Sequence, residues 1–244
     1  DSLERCSVLK VWKNGRLTAE NGRLTAGAVP RTAAPGVSTG GIGVPNEKAF
    51  EIPVPAGSKI RVVGLRKGQV VTDHLILEPS VSGGMAAAAP ARDICWLAVL
   101  EKNKGTGRLA VGFVHGLGLR EGALGSSVAH DAHNFVAAGA DIPSLRKALA
   151  FLAAEGGGIV AAKGDRVVAS LALPVGGLMN PSAADSVIAG LEEAEKAAAA
   201  LGTELEHPFM AMSFLSLSVI PELKLTDQGY VDLGRGGIQS LFTE

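Results

Sequence analysis

Short apolar runs bounded by glycine follow one another along the chain from residue 93 onward. Runs of about four to eight apolar residues between turn residues are typical of buried strands. The strands predicted in this way are Cys95–Leu100, Leu109–Val114, Ala123–Ala129, Phe135–Ala138, Gly158–Ala162 and Arg166–Leu171. Lys163-Gly164-Asp165 predicts a tight hairpin turn between the last two. Upstream, shorter runs predict strands at Ile60–Val63, Gln69–Thr72 and Leu75–Leu77.

Two longer segments show the helical spacing of three and four residues. The first helix is predicted to begin near Pro143, just after Asp141, and to end before Gly156. The second is predicted over residues 181–201, with Gly202 past its end. Its apolar stripe consists of Val187, Ile188, Leu191, Ala194 and Ala198. Amphipathic helices that follow a set of strands predict an α+β fold, in which the helices pack on a mixed or largely antiparallel sheet.

The beginning of the chain follows a different pattern. Asn14-Gly15-Arg16-Leu17-Thr18-Ala19 recurs seven residues later, and Asn-Gly favours a type I′ turn, so we expect a hairpin there. Residues 36–59 are rich in Gly, Pro, Ala, Ser and Thr and lack periodicity, which predicts a linker. A second break is predicted at residues 78–90. The expected organisation is a small β segment at 1–35, a linker at 36–59 and an α+β domain at 60–244.

Composition narrows the classes of function. The 244 residues are 47% apolar and 19% charged, with a net charge of −1, as in ordinary globular chains. Lysine and arginine are scattered, which argues against a nucleic-acid partner. Cys6 and Cys95 do not form a disulfide framework, so we expect the cytoplasm. The most apolar stretch, residues 209–221, is too short to span a bilayer, so no membrane role is expected.

A dense polar segment at residues 126–134 interrupts two apolar runs and holds two of the five histidines. Buried imidazoles and amides need hydrogen-bond partners, so this segment is the first candidate for a site. The candidate residues are Ser127, His130, Asp131, His133, Asn134 and, much later in the chain, Glu222. Glu222 either orients a histidine or belongs to a solvated turn.

Three interpretations of the polar segment stay open. His130 and His133 can share a metal only if the chain turns at Asp131-Ala132 and a third ligand approaches, from Asp131, His115 or Glu222. The polar groups can instead form a structural hydrogen-bonded cluster, or line a pocket that another part of the protein completes. A Ser127-His130-Asp131 triad is a weaker hypothesis, because Ser127 does not stand in a Gly-x-Ser-x-Gly elbow.

Several motifs occur in an order that points to a known family. They are Lys104-Gly105-Thr106-Gly107, Gly112-Phe113-Val114-His115-Gly116-Leu117-Gly118-Leu119, Val128-Ala129-His130-Asp131-Ala132-His133-Asn134, Gly156-Gly157-Gly158-Ile159-Val160, Leu173-Pro174-Val175-Gly176-Gly177-Leu178-Met179 and Val219-Ile220-Pro221-Glu222-Leu223-Lys224-Leu225-Thr226-Asp227. Together they resemble the C-terminal region of the bacterial adenine deaminases. These amidohydrolase-superfamily enzymes hydrolyse adenine to hypoxanthine and ammonia. The resemblance extends over residues 58–233.

The resemblance also implies what this chain lacks. The family carries a binuclear manganese or iron site on a barrel, and one of its ligand pairs is an HxH motif, which this sequence does not contain. A barrel of about 250 residues does not fit beside the matched region. We therefore expect the C-terminal part of a hydrolase of purine metabolism, with no metal of its own and inactive alone. An initial Asp1 in place of methionine fits this expectation.

The resemblance implies partners as well. They are the missing barrel or a neighbouring subunit, adenine as the family substrate, and further copies of the chain in a homo-oligomer. Residues 1–35 are similar to the return strands of the small β-sandwich that flanks the barrel. The alternative is a free-standing module that binds a metal or a small ligand through residues 130–134.

Overall fold

The structure is a computed structural model that describes residues 6–25 and 42–243. The chain divides into two compact units between residues 34 and 35. Each unit is described by itself. The domain boundary predicted at residue 35 lies outside the described residues, as do residues 36–41 of the predicted linker.

The first unit contains a three-stranded antiparallel sheet. Its strands are β1 (Lys10–Lys13), β2 (Arg16–Glu20) and β3 (Arg23–Leu24). Both copies of the Asn-Gly dipeptide form turns, with positive φ at Asn14 (50°), Gly15 (73°), Asn21 (51°) and Gly22 (75°). Positive φ at both central residues is the signature of a type I′ turn. The predicted hairpin is therefore confirmed, and the repeat supplies a second one.

The second unit is built on a nine-stranded sheet. The strands of the unit are β4 (Lys59–Leu65), β5 (Thr72–Leu77), β6 (Ser80–Ser82), β7 (Met85–Ala87), β8 (Ile94–Leu100), β9 (Leu109–His115), β10 (Ala123–Ser126), β11 (Phe135–Gly139), β12 (Gly158–Lys163), β13 (Arg166–Ala172), β14 (Lys224–Thr226), β15 (Gly229–Asp232), β16 (Gly237–Gln239) and β17 (Phe242–Thr243). The large sheet runs in the order β13-β12-β10-β11-β8-β9-β4-β17, and β5 also pairs with β4. Its pairings are antiparallel except β4 with β9. The sheet is mixed, as predicted.

Helices pack on this sheet, which confirms the α+β class. They are α1 (Ile142–Glu155), α2 (Ala184–Ala200) and α3 (Pro208–Met212), with 3₁₀ turns at Glu47–Phe50, Pro90–Arg92 and Leu233–Arg235. The Asp141 side chain caps α1 by accepting from the Ser144 amide at 2.8 Å, and Gly156 ends it at φ 73°. Both ends match the prediction. None of the helices in the described ranges is long and apolar enough to cross a membrane.

The central strands of the large sheet are buried on both faces. Along β8, Cys95, Leu97 and Val99 face one core cluster and Ile94, Trp96, Ala98 and Leu100 face the other. The first cluster includes residues of α2, α3 and β15, and the second includes α1. Burial on both faces explains why these strands are continuous apolar runs rather than alternating patterns.

Several predicted boundaries differ from the structure. β10 ends at Ser126 rather than Ala129, and residues 69–71 precede β5 instead of forming a strand. The break predicted at 78–90 contains the β6–β7 hairpin. On α2, Ile188 is 55% exposed, so the buried stripe passes through Ala194, Ala197 and Ala198 instead. In the linker region, Phe50 is buried in the second cluster.

Tyr230 of β15 completes the hydrogen bonding of a sheet strand. β4 pairs with β9 only near the end of β9, at Val114 and His115. At Phe113 the backbone groups bond to the Tyr230 hydroxyl. This hydroxyl accepts from the backbone N–H at 2.7 Å and donates to the C=O at 3.2 Å. A Cβ at Gly112 would collide with the tyrosine ring, so this close approach requires glycine there.

Tyr230→Phe should lower the free energy of unfolding by about 1–3 kcal/mol, because it leaves two buried backbone groups without their partner. Ser58→Ala is the control, since it removes an exposed hydroxyl hydrogen bond to Pro55 and should change stability by less than about 0.5 kcal/mol. Urea denaturation of both variants measures the difference. Equal stability losses would contradict the role assigned to Tyr230.

Lys224 of β14 is fully buried, and its Nζ donates to the Val70 carbonyl at 2.9 Å. Burial lowers the pKa of this lysine from 10.5 to about 8. Between these two values the unfolded chain holds a proton that the folded chain has released, so the free energy of unfolding rises with pH in this window. Below about pH 8 both states are protonated, and Lys224 adds no pH dependence.

Lys224→Met should flatten that rise in stability relative to the unchanged chain. Lys163→Met is the matched control, because Lys163 is exposed and pairs with Glu121 at the surface. Unfolding free energies measured from pH 7 to pH 11 give the two slopes. An unchanged slope in Lys224→Met would show that this lysine does not titrate as stated.

Candidate functional site

Several connections meet at one edge of the large sheet. Residues 127–134, here called the 127–134 loop, join the end of β10 to the start of β11. The neighbouring strands β8 and β13 end at this edge, and β12 begins there. Antiparallel pairing therefore brings segments that are far apart in sequence to one place.

The 127–134 loop contains the turn that a joint histidine site would need. The His133 amide donates to the Ala129 carbonyl at 2.7 Å, and the His130 amide donates to the Ser213 carbonyl at 3.0 Å. The two imidazole centroids lie 6.1 Å apart, and the His130 ring lies 5.0 Å from the ring of Phe214. The loop thus places both imidazoles on the same side of the chain.

Ser127 holds the base of the loop. Its Oγ accepts from the Gly158 amide at 2.7 Å and donates to the Gly177 carbonyl at 2.5 Å. Within the part of the chain that the structure describes, no histidine nitrogen hydrogen-bonds this hydroxyl. The hydroxyl therefore lacks the neighbouring base that activates a serine nucleophile, and the geometry gives the triad hypothesis no support.

Lys102 belongs to the site although the sequence analysis did not single it out. It is only 4% exposed, its Nζ donates to the Gly176 carbonyl at 2.6 Å, and its amide donates to Asn134 Oδ1 at 3.2 Å. Burial lowers the pKa of its amine. The available signal was a charged pair, Glu101-Lys102, directly after a wholly apolar strand.

His133 lies close enough to Lys102 to be affected by its charge. Burial lowers the pKa of the His133 imidazole, and Coulombic interactions with Lys102 and His130 lower it further, against a smaller opposing effect of Asp131. The imidazole is therefore neutral at neutral pH. Its Nδ1 is buried and has no hydrogen-bond partner among the described residues.

Asn134 and Asp131 are the other two candidate residues of the loop. Asn134 is buried, and its Nδ2 donates to Asp227 Oδ1 at 3.3 Å. Asp227 Oδ2 in turn lies 3.1 Å from Arg108. Asp131 is exposed. Asp227, another residue that sequence reasoning missed, stood at the end of a matched motif without being assigned to a site.

Glu222 lies apart from this group. Its Oε2 accepts from the backbone amide of His74 at 3.3 Å, and its side chain is exposed. The buried His74 ring is oriented by Asp232 instead, with 2.6 Å between Nδ1 and Oδ2. Glu222 therefore touches a histidine residue but does not orient its ring. Neither His74 nor Asp232 was a candidate from the sequence.

The donor set of the site does not suit the manganese or iron that the resemblance implies. In the described residues, no three His, Cys, Asp or Glu side chains come together in a way that could hold a metal ion. The two loop imidazoles lack a third ligand, whereas protein sites for such metals use three or more. The arrangement is instead a set of buried hydrogen-bonding groups.

Lys102→Met should raise the pKa of the His133 imidazole, because it removes a nearby positive charge. Lys104→Met is the control, since Lys104 is exposed and does not contribute to the pKa of His133. NMR titration of the histidine ring protons measures both. A His133 pKa that stays where it was in Lys102→Met would refute the coupling.

Comparison with known proteins connects this site to a family. A family model described as adenine deaminase C-terminal domain matches residues 69–236. The adenine deaminase of Oleidesulfovibrio alaskensis is 47% identical over 191 residues, which cover 78% of this chain and 34% of that protein. The adenine deaminase of Methanothrix thermoacetophila is 37% identical over 98% of this chain and 42% of its own length.

A third relative agrees with these two. It is the protein named adenine deaminase 2 of Carboxydothermus hydrogenoformans, which is 41% identical over 96% of this chain and 41% of its own length. The chain thus spans roughly two fifths of the length of the curated relatives it matches. The matched region contains the 127–134 loop together with Lys102, Gly177 and Asp227. The chain belongs to the adenine deaminase family, as its C-terminal domain.

Proposed function

We propose that this chain is the C-terminal part of an enzyme that hydrolyses adenine to hypoxanthine and ammonia. In this proposal the 127–134 loop forms one wall of a pocket, and a metal-bearing barrel completes it. The barrel lies on the same polypeptide or on a neighbouring subunit. Hydrolysis then depends on groups that this chain does not carry, and the chain alone is inactive.

One observation carries the proposal: four of the motifs that carry the resemblance meet at the 127–134 loop. Residues 128–134 of the loop are one motif, Gly158 and Gly177 of two others hydrogen-bond to Ser127, and Asp227 of the fourth accepts from Asn134. A cluster of buried polar groups drawn from distant segments favours a functional site over a packing role.

The unused hydrogen-bonding capacity of the site supports the proposal that another protein surface packs against it. Within residues 6–25 and 42–243, the Lys102 amine has three donor hydrogens and one acceptor, and the buried Nδ1 of His133 has no partner. Buried polar groups without partners are costly, and native proteins pair nearly all of them. A surface that supplies acceptors and donors to this edge of the sheet removes that cost.

We propose that the barrel binds the metal and that this chain forms part of the pocket wall. Manganese or iron, when bound by barrel residues, would supply the activated water. This chain's own residues hold the pocket wall: Ser127 fixes the base of the loop, and the neutral imidazole of His133 offers a hydrogen-bonding group without adding positive charge. No ligand to the metal is assigned to this chain.

The first unit fits the same proposal. In this unit the apolar side chains of Val8, Trp12 and Leu24 are between 59% and 71% exposed. A three-stranded sheet needs a covered apolar face to be stable. We propose that β1–β3 are return strands of a small β-sandwich whose other strands belong to the barrel-bearing part.

The compartment and the assembly also belong to this proposal. Cys95 is buried in the sheet and its thiol donates to the Leu119 carbonyl at 3.7 Å, so it forms no disulfide. A buried reduced thiol suits the cytoplasm. We further propose that the complete protein is a homo-oligomer, because a neighbouring copy can cover the end of the sheet that carries the 127–134 loop.

A reconstitution experiment tests the proposed function. The chain is coexpressed with the Oleidesulfovibrio alaskensis protein from which the region matched by this chain has been removed. Ammonia release from adenine, with manganese present, should occur with both polypeptides and not with this chain alone. His133→Phe should reduce the reconstituted rate about tenfold, the effect of one lost hydrogen bond in the pocket.

His207→Phe is the matched control, because the His207 side chain is 63% exposed and should leave the reconstituted rate unchanged. Two outcomes would overturn the proposal. One is adenine turnover by this chain alone. The other is a truncated partner that is as active by itself as the full-length protein.

A further inference from the structure

One cavity of the second unit has no part in the proposed function. It has a volume of about 680 Å³ and lies where the end of β4, the 3₁₀ turn Pro90–Arg92 and the connections after β9 and α2 meet. Gly116, Leu117 and Gly118 line it and belong to the motif at residues 112–119 that carries part of the family resemblance. Its lining contains none of residues 127–134. A matched motif thus builds a cavity separate from the candidate site.

Glycines allow the connections around this cavity to approach one another closely. A Cβ at Gly116 would lie 2.6 Å from the carbonyl oxygen of Leu65, at the end of β4. A Cβ at Gly202, just after α2, would lie 2.8 Å from Cγ of Arg120. Both glycines also have positive φ, at 95° and 119°. The shape of the cavity is therefore set by backbone packing, and the stem of Arg120 rests against Gly202.

Asp93 holds the turn after β9 in place. Its Oδ2 accepts from the Gly116 amide at 3.0 Å, and its Oδ1 accepts from the Gly118 amide at 2.7 Å. These two backbone N–H groups are therefore not available to a ligand. The glycine-rich turn shapes the cavity, and the binding capacity lies in the side chains around it.

Three cationic side chains from three different connections line the cavity. They are Lys67, Arg92 and Arg120, and all three are exposed. Within the described ranges none of them forms an ion pair with a carboxylate. The Arg92 guanidinium donates to the Glu78 carbonyl at 3.2 Å and to the Ser80 hydroxyl at 3.3 Å. These neutral acceptors orient the guanidinium but leave its charge uncompensated.

The negative charge in the lining is smaller. Asp93 and Glu204 are the two carboxylates among the lining residues, against three cations. Asp93 is already stabilised by its two amides, and Glu204 is exposed. The cavity therefore has an excess of positive charge, which favours an anion. Its volume lies within the range of about 300–1,000 Å³ that is usual for small-ligand sites.

We propose that this cavity binds an anion with two linked phosphate groups, either a free diphosphate or the diphosphate of a nucleotide. Guanidinium groups bind phosphate oxygens in pairs, so Arg92 and Arg120 each bind one phosphate group, and Lys67 adds a third charge. One phosphate group carries about 1.5 to 2 negative charges at neutral pH, so three cations match two linked groups better than one. The proposal requires neither a barrel nor adenine hydrolysis.

Calorimetric titration of this chain with diphosphate and with orthophosphate, at one fixed ionic strength, tests the proposal. Diphosphate should bind about tenfold more tightly than orthophosphate, and Arg92→Gln and Arg120→Gln should each weaken diphosphate binding about tenfold. Arg166→Gln is the matched control, because Arg166 is exposed and lies outside the cavity. Thermal unfolding of each variant checks that the fold is intact.

A variant of opposite sign sharpens the test. Glu204→Gln removes a negative charge from the lining and should strengthen diphosphate binding about threefold, whereas Glu193→Gln, exposed and outside the cavity, should not change it. Uridine diphosphate separates the two sources of the ligand. Tighter binding than free diphosphate would assign the site to nucleotides, and equal binding would assign it to the diphosphate group alone.

Three results would overturn the proposal: no binding of diphosphate, equal affinity for diphosphate and orthophosphate, or an equal loss in Arg166→Gln and the two cavity variants. The last result would mean that diphosphate responds only to the overall charge of the chain. Because the measurement is binding to this chain alone, it is independent of reconstituted adenine turnover, and either proposal can fail without the other.

Discussion

The Ser127 hydroxyl is the contact on which the arrangement of the candidate site depends. It joins the end of β10 to the start of β12 through Gly158 and to the turn after β13 through Gly177. A Cβ at Gly157 would lie 2.7 Å from this hydroxyl, and one at Gly177 would lie 3.2 Å from it. The two glycines leave the space that the hydroxyl occupies. The glycine-rich motifs therefore serve close packing around one buried polar atom.

Lys102 adds an electrostatic constraint to this packing. An ammonium that is removed from water and lacks a carboxylate partner is costly, which is why burial lowers its pKa. Burial of the His133 ring is the larger cause of its lowered pKa. The nearby charge of Lys102 also favours the neutral imidazole. The pair thus keeps an uncharged hydrogen-bonding ring beside a buried charge. Arg108 and Asp227 differ, since Arg108 is solvent-exposed and water screens their attraction.

The position of the site follows from the way the sheet is covered. Helices and small strands bury both faces of the central strands of the nine-stranded sheet. The ends of β8, β10 and β13 and the starts of β11 and β12 form an edge where loops can carry polar groups. An edge of this kind also suits contact with another part of a larger protein.

The sequence by itself determined the local elements: the Asn-Gly turns, both ends of α1, the apolar strands and the family. These features depend on dihedral preferences, capping groups and periodicity, which are properties of neighbouring residues. Only the tertiary structure decided that β10 stops at Ser126, that Lys102 and Asp227 join the site, and that Glu222 lies elsewhere. Each of these depends on a hydrogen bond between distant residues, such as Ser127 with Gly177, and periodicity carries no information about which distant groups meet. The exposed Ile188 has the same cause, because helical spacing gives the apolar stripe but the facing sheet decides which side of it is buried.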